Sequence, residues 1–64
     1  MTINGTAVSG YDGLSVSALL LQRGLPMRGV AIAVNGIIVP RSQWEHARVV
    51  TGDAIEVVTA AAGG

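Results

Sequence analysis

Few side chains of this 64-residue sequence could support catalysis of their own. His46 is the one imidazole, and it lies in a polar segment without a nucleophile beside it, so we interpret it as a surface residue. The acidic residues Asp12, Glu45, Asp53 and Glu56 are scattered, and no helical or strand spacing brings two of them together. Cysteine is absent, which excludes disulfides, thiolate zinc sites and iron–sulfur clusters. We therefore expect a protein that is neither an enzyme nor a metal binder.

The C-terminal end of the sequence offers a different chemistry. It reads Ala60, Ala61, Ala62, Gly63 and Gly64, without a charge or a bulky side chain. Glycine has no Cβ and accepts most backbone angles, so such a segment can enter a narrow tunnel. We expect Gly64 to carry a free carboxylate, which adenylation by ATP would activate toward a sulfur nucleophile. The alternative is a frayed terminus, since two terminal glycines occur by chance in about one chain in 200.

Composition excludes several kinds of partner. The net charge is zero, whereas a protein that binds a phosphate backbone needs a clustered basic excess. Tyr11 and Trp44 are the only aromatic residues, too few for a platform that stacks bases. The apolar runs are shorter than the roughly 18 residues of a membrane span, and the first residues lack the pattern of a secretory signal. We expect a cytoplasmic protein without a nucleic-acid or membrane partner.

Two asparagine–glycine pairs predict β-hairpins. Asn4-Gly5 and Asn35-Gly36 are flanked by apolar or β-branched residues, and both residue types accept the positive φ angles of a two-residue type I′ turn. The predicted hairpins join residues 2–4 to 6–9 and residues 30–34 to 37–39. The segment Val30–Val34 is apolar on both faces of a period-two pattern, which favours a central strand.

Between the hairpins, Val16–Arg23 carries the signals of an amphipathic helix. Ser15 is placed to cap its N-terminus. Leu19 and Leu20 lie on one apolar face. Gly24 suits the left-handed conformation that often follows the last residue of a helix.

The remaining sequence predicts a turn and a last strand. Pro40 should end the fourth strand, since proline cannot donate to a ladder. Residues 41–46 could form one helical turn with Ser42 as its cap, residues 51–53 are typical of a turn, and Ala54–Thr59 is the last predicted strand.

Together these elements predict an α+β fold, in which one main helix packs across a mixed sheet of four to five strands. Residues 1–59 form this domain, and we expect residues 60–64 to be a flexible tail. The predicted core contains Ile3, Leu19, Leu20, Ile32, Val34, Ile55 and Val57.

Three motifs resemble those of a known family. Residues 34–44, VNGIIVPRSQW, are similar to a VNG-x-x-VPRS-x-W stretch, residues 52–56, GDAIE, are similar to a GD-x-IE stretch, and Gly63-Gly64 is similar to a functional terminus. The family is that of ThiS, the sulfur carrier protein of thiamine biosynthesis, and the resemblance covers essentially the whole chain. It implies the ubiquitin-like β-grasp fold.

The resemblance also implies a mechanism and its partners. A ThiF-like adenylyltransferase would use ATP to adenylate Gly64. Sulfur from a cysteine persulfide, such as that of a cysteine desulfurase, would convert the adenylate to a thiocarboxylate. A thiazole synthase of the ThiG type would then receive the sulfur. The chain itself would bind no cofactor.

Residues before Gly64 are the predicted partner contacts. Gly63, Ala62, Ala61 and Ala60 would enter the partner. Val58 should point away from the core beside the tail, and an exposed valine there is a candidate for an interface.

Trp44 and Arg41 each have two interpretations. The favoured interpretation of Trp44 is packing against the domain, and the alternative is an anchor for a partner. Arg41 is either a solvated or locally paired charge or a contact at an interface, where arginine is enriched.

Three other functions remain open at this point. One is the related carrier of the molybdopterin synthase small-subunit type, against which the VPRS-x-W stretch argues. Another is a ubiquitin-like modifier that joins lysines of other proteins. The last is a β-grasp interaction module with an inert tail.

Overall fold

The computed structural model describes residues 1–59, which form a five-stranded mixed sheet and one α-helix. The strands are β1 (Thr2–Ile3), β2 (Thr6–Ala7), β3 (Val30–Val34), β4 (Ile37–Ile38) and β5 (Ala54–Thr59), and the helix is α1 (Val16–Arg23). The sheet order is β2-β1-β5-β3-β4. β1 and β5 are parallel, whereas the other pairs are antiparallel. The predicted architecture is confirmed, with β5 as the central strand and β3 inside the sheet.

Both predicted hairpins form around asparagine–glycine turns. Asn4 and Asn35 have φ angles of 50° and 53°, and the glycines after them have 81° and 80°. These angles are those of a type I′ turn, whose twist matches that of the flanking strands. The second strand of each hairpin is shorter than the predicted 6–9 and 37–39. Pairing nevertheless continues beyond β4, because the Val39 N–H donates to the Ile32 carbonyl at 2.8 Å.

Helix α1 has the predicted bounds and caps. The Ser15 hydroxyl accepts a hydrogen bond from the Ala18 N–H at 3.1 Å. Gly24 has φ 70°, and the N–H of Leu25 donates to the Leu20 carbonyl at 2.9 Å. This is the six-to-one bond of a Schellman motif, which satisfies carbonyls that the helix end would otherwise leave without partners.

The core lies between α1 and one face of the sheet. Five of the predicted core residues are buried, namely Ile3, Leu19, Leu20, Ile32 and Ile55. Val34 and Val57 are only partly buried and pack against that core. Val16, Trp44 and Val49 complete it, and Val49 was not predicted because no periodic pattern surrounds it.

The turn after β4 is a 3₁₀ helix, Arg41–Gln43, and the prediction that Ser42 caps it is wrong. The N-cap position lies two residues earlier than predicted, since Pro40 occupies it and its carbonyl accepts from the Gln43 N–H at 2.8 Å. Ser42 therefore lies inside the turn, which has no side-chain cap. Among the described residues, no helix is long and apolar enough to cross a membrane.

Candidate functional site

The central strand β5 leads directly to the predicted chemical site. Its last residue is Thr59, which directly precedes residues 60–64 in the sequence. The predictions for Gly64, Gly63, Ala62, Ala61 and Ala60 lie outside the described residues. Of the predicted site, the structure describes Val58, which is 56% exposed. The exposed position predicted for this side chain is confirmed.

Val58 lies on the face of the sheet opposite α1, which we call the open face. Val58 pairs with Ala31 of β3, and Glu56 pairs with Ala33. Ala33 in turn pairs with Ile38 on β4, a residue that is 62% exposed. Small alanines in β3 thus separate two exposed β-branched side chains. The open face therefore presents these apolar side chains together with the exposed side chain of Glu56.

Two asparagine carboxamides hold β5 from opposite ends. The Asn4 side chain accepts from the Val57 N–H at 2.8 Å and donates to the Val57 carbonyl at 3.2 Å. The Asn35 side chain accepts from the Ala54 N–H at 2.9 Å and donates to a carboxylate oxygen of Asp53 at 3.0 Å. Each turn asparagine therefore also fixes the strand that precedes the tail. The sequence predicts the turns but not these bonds, because the bonded residues are distant in sequence.

Trp44 packs in the domain, as the favoured interpretation predicted. The residue is 5% exposed, and its indole Nε1–H donates to the Val39 carbonyl at 2.9 Å. Its own carbonyl accepts from the N–H of Ser17, which ties the turn to the start of α1. The exposed Arg41 guanidinium lies 5.0 Å from the centre of the indole ring, a cation–π distance. Arg41 therefore has a contact partner within its own domain.

Two aspartates in the described part of the chain accept hydrogen bonds that hold loops together. An Asp12 carboxylate oxygen accepts from the N–H and the hydroxyl of Thr51 at 2.6 and 3.0 Å. The second carboxylate oxygen of Asp53 accepts from the Val50 N–H at 2.9 Å, within the predicted turn. His46 is exposed. Within residues 1–59, no group of three or more histidine or acidic side chains could hold a metal ion.

Comparisons with known proteins agree with this geometry. The family model described as "ThiS family" matches residues 1–64. The sulfur carrier protein ThiS of Escherichia coli strain K12 is 39% identical over 61 residues, which cover 95% of this chain and 92% of that protein. A thiazole synthase of Paramagnetospirillum magneticum is 36% identical over 64 residues, but the chain spans only 20% of its length.

Solved structures show the same fold. The crystal structure of the thiamine biosynthesis protein ThiS from Geobacter metallireducens has a TM-score of 0.83 at 30% identity, over 98% of this chain and 96% of that one. A solution structure of a thiamine biosynthesis protein from the same organism has a TM-score of 0.73 at 30% identity, over 98% of this chain and 85% of that one. The ubiquitin-like β-grasp fold that the sequence predicted is therefore confirmed, and the chain belongs to the ThiS family.

Proposed function

We propose that this chain is a sulfur carrier for thiamine biosynthesis and that the C-terminal carboxylate of Gly64 carries the sulfur as a thiocarboxylate. The observation that supports the proposal is the position of β5, the central strand, whose last residue Thr59 directly precedes residues 60–64 in the sequence. The exposed Val58 of the open face is the next-to-last residue of that strand. The names of the relatives in Escherichia coli and Geobacter metallireducens support the same role.

The proposed chemistry takes place on a partner enzyme. A carboxylate oxygen of Gly64 attacks the α-phosphorus of ATP, pyrophosphate leaves, and an acyl-adenylate forms. The terminal sulfur of a cysteine persulfide then attacks the acyl carbon, and AMP leaves. A second thiol cleaves the resulting sulfur–sulfur bond, which releases the thiocarboxylate and leaves a disulfide on the donor side. The activating partner is a ThiF-like adenylyltransferase, and the persulfide is that of a donor such as a cysteine desulfurase.

Small residues fit the tail to such an active site. Ala60, Ala61 and Ala62 have side chains no larger than a methyl group, and Gly63 has none. An extended segment of this kind fits a channel too narrow for larger side chains, and glycine adds little steric restriction near the reacting carbon. The folded domain would thus bind the partner enzyme, and the tail would be the substrate.

The open face would dock the carrier on its partners. Val58 and Ile38 expose apolar side chains there, and burying them in an interface would stabilise a complex through the hydrophobic effect. Docking through this face would bring the adjoining tail to the partner's catalytic groups. Holding reacting groups at a fixed geometry is a large source of rate enhancement.

A thiazole synthase of the ThiG type is the proposed acceptor of the sulfur. The relative from Paramagnetospirillum magneticum that bears this name contains a segment similar to this chain within a longer polypeptide. Joining a carrier and its acceptor in one chain raises their effective concentration, so that arrangement suits two proteins that act together. It favours thiazole formation over a molybdopterin carrier, a lysine modifier or an inert module.

The test is activation by the cognate adenylyltransferase with ATP and a persulfide donor. Three forms are compared, namely the wild type, a variant lacking Gly64 and a variant with one residue added after Gly64. Both variants should keep the circular dichroism spectrum and melting curve of the wild type, because the change lies beyond the packed core. Both should lose sulfur incorporation, since a displacement of about 1 Å at a reacting centre can lower a rate by roughly 100-fold. Incorporation at the wild-type rate in the extended variant would overturn the proposal.

A further inference from the structure

The two sides of β5 are supported very differently. On one side, the full length of β3 pairs with β5, from Val34 opposite Ile55 to Val30 opposite Thr59. On the other side, β1 ends at Ile3, which pairs with Ile55. The C-terminal half of β5 thus extends beyond the strand on that side.

Asn4 fills this gap with its side chain. Its backbone N–H donates to the Ile55 carbonyl at 2.9 Å, as the next residue of a parallel strand would. The chain then turns away at φ 50°. The carboxamide continues in place of the missing strand, because it satisfies both the N–H and the carbonyl of Val57. A primary amide offers the same donor and acceptor as a peptide group.

Within residues 1–59, Asn4 also makes the last hydrogen bonds to β5 on this side of the strand. Backbone groups of successive residues in a strand point to alternate edges, so Thr59 faces the same side as Val57. Within residues 1–59, the hydrogen bonds of the structure reach no further along this edge than Val57. Residues 60–64 start directly after that point.

We propose that the Asn4 carboxamide is a positioning group for the carrier function, which fixes where and in which direction the tail leaves the sheet. This inference rests on the proposed function of Gly64. With the two hydrogen bonds between the Asn4 side chain and Val57 in place, which we call the Asn4 clamp, β5 is held at both edges up to Val57. The tail then starts from a defined point. Without it, the end of β5 is held by β3 alone, so Gly64 would reach the partner's reacting groups over a wider range of positions.

Asn35 provides a matched control. It has the same residue type, the same turn and nearly the same φ as Asn4, and it also clamps β5 through its carboxamide. Its partners, however, are Ala54 and Asp53 at the start of the strand, far from the tail. A glycine at either position tolerates the positive φ, so Asn4→Gly and Asn35→Gly remove the carboxamide and keep the turn.

The first arm of the experiment is amide hydrogen exchange in the full chain. Each variant removes two hydrogen bonds of modest net strength, so exchange should accelerate by roughly 10- to 30-fold at the amide that loses its acceptor. That amide is Val57 in Asn4→Gly and Ala54 in Asn35→Gly. Asn4→Asp keeps an acceptor for the Val57 N–H and should protect it better than glycine does. An unchanged exchange rate at Val57 in Asn4→Gly would contradict the claim that the Asn4 side chain holds β5 there.

The second arm is steady-state activation by the adenylyltransferase with ATP and the persulfide donor. Asn4→Gly should lower kcat about tenfold and leave KM within about twofold, because the docking face is unchanged while the reacting group is less well placed. Asn35→Gly should keep both constants within about twofold. Equal losses in both variants, or none in Asn4→Gly, would overturn the positioning role. If the wild type itself gains no sulfur, the proposed function fails, and the exchange arm alone decides whether Asn4 holds the strand.

Discussion

The two faces of the sheet come from the same strands but differ in what they contact. The face toward α1 buries Ile3, Ile32 and Ile55 under Leu19 and Leu20. The open face carries alanines in β3, with Val58 and Ile38 exposed. Because side chains alternate along a strand, neighbours such as Val57 and Val58 lie on different faces. Stability therefore depends mostly on one face, and the other is available for a partner.

In a domain this small, the face of the sheet toward α1, which we call the covered face, should determine stability, and the open face should determine binding. Within residues 1–59, the core contains eight buried apolar residues, and a domain of this size has only a few kcal/mol of net stability. A change on the covered face should therefore affect the fold, whereas a change on the open face should affect only what binds there. Variants on each face test this separation.

The largest effect is expected at the centre of the covered face. Leu20 is fully buried, so Leu20→Ala should lower the free energy of unfolding by about 2–5 kcal/mol through lost transfer energy and a cavity. Urea unfolding followed by circular dichroism measures it. Leu21→Ala is the control, since Leu21 is 74% exposed in the same helix. A loss below ~0.5 kcal/mol in Leu20→Ala, the scale of surface changes, would contradict the assigned core.

A smaller effect is expected where the 3₁₀ turn meets the helix. Trp44→Phe keeps an aromatic ring but removes the Nε1 donor of the Val39 carbonyl. An unsatisfied buried acceptor costs about 1–3 kcal/mol, which chemical denaturation can resolve. Arg41→Ala removes only the exposed cation–π contact, worth about 0.5–1 kcal/mol. An Arg41→Ala loss larger than that of Trp44→Phe would contradict the assignment of Trp44 to the core.

The smallest change in stability is expected on the open face. Val58→Arg should alter the free energy of unfolding by no more than ~0.5 kcal/mol, as surface substitutions usually do. It should nevertheless raise KM for the adenylyltransferase, because a charge replaces an apolar contact at the proposed docking face. Thr6→Arg adds the same charge on the edge strand β2 and is the control. Unchanged KM in Val58→Arg, or an equal rise in both, would place the docking surface elsewhere.

Local signals predicted the elements well. Ser15 and Gly24 define both ends of α1, and the two asparagine–glycine pairs define the hairpins, because the conformations that these residues favour are set within a few positions of the chain. Ser42 misled the prediction, since a cap depends on where the turn starts, and Pro40 starts it. The motifs around Trp44 and Gly64 predicted the family.

Contacts between distant segments could not be predicted in the same way. Val49 is fully buried, yet it lies outside any regular element, and only the folded chain brings it under the helix. The Asn4 clamp joins residues that are 53 positions apart. Turn chemistry explains why asparagine occurs at that position, but the strand that its side chain meets depends on the sheet order.

The most direct test of the central claim is the mass of the C-terminal peptide after reaction with the adenylyltransferase, ATP and the persulfide donor. Replacing one carboxylate oxygen of Gly64 by sulfur should add about 16 Da. Fragmentation should assign the whole gain to Gly64, and omission of ATP should abolish it. A mass gain that maps to any other residue, or a terminal peptide that stays unmodified in the complete reaction, would contradict the carrier mechanism.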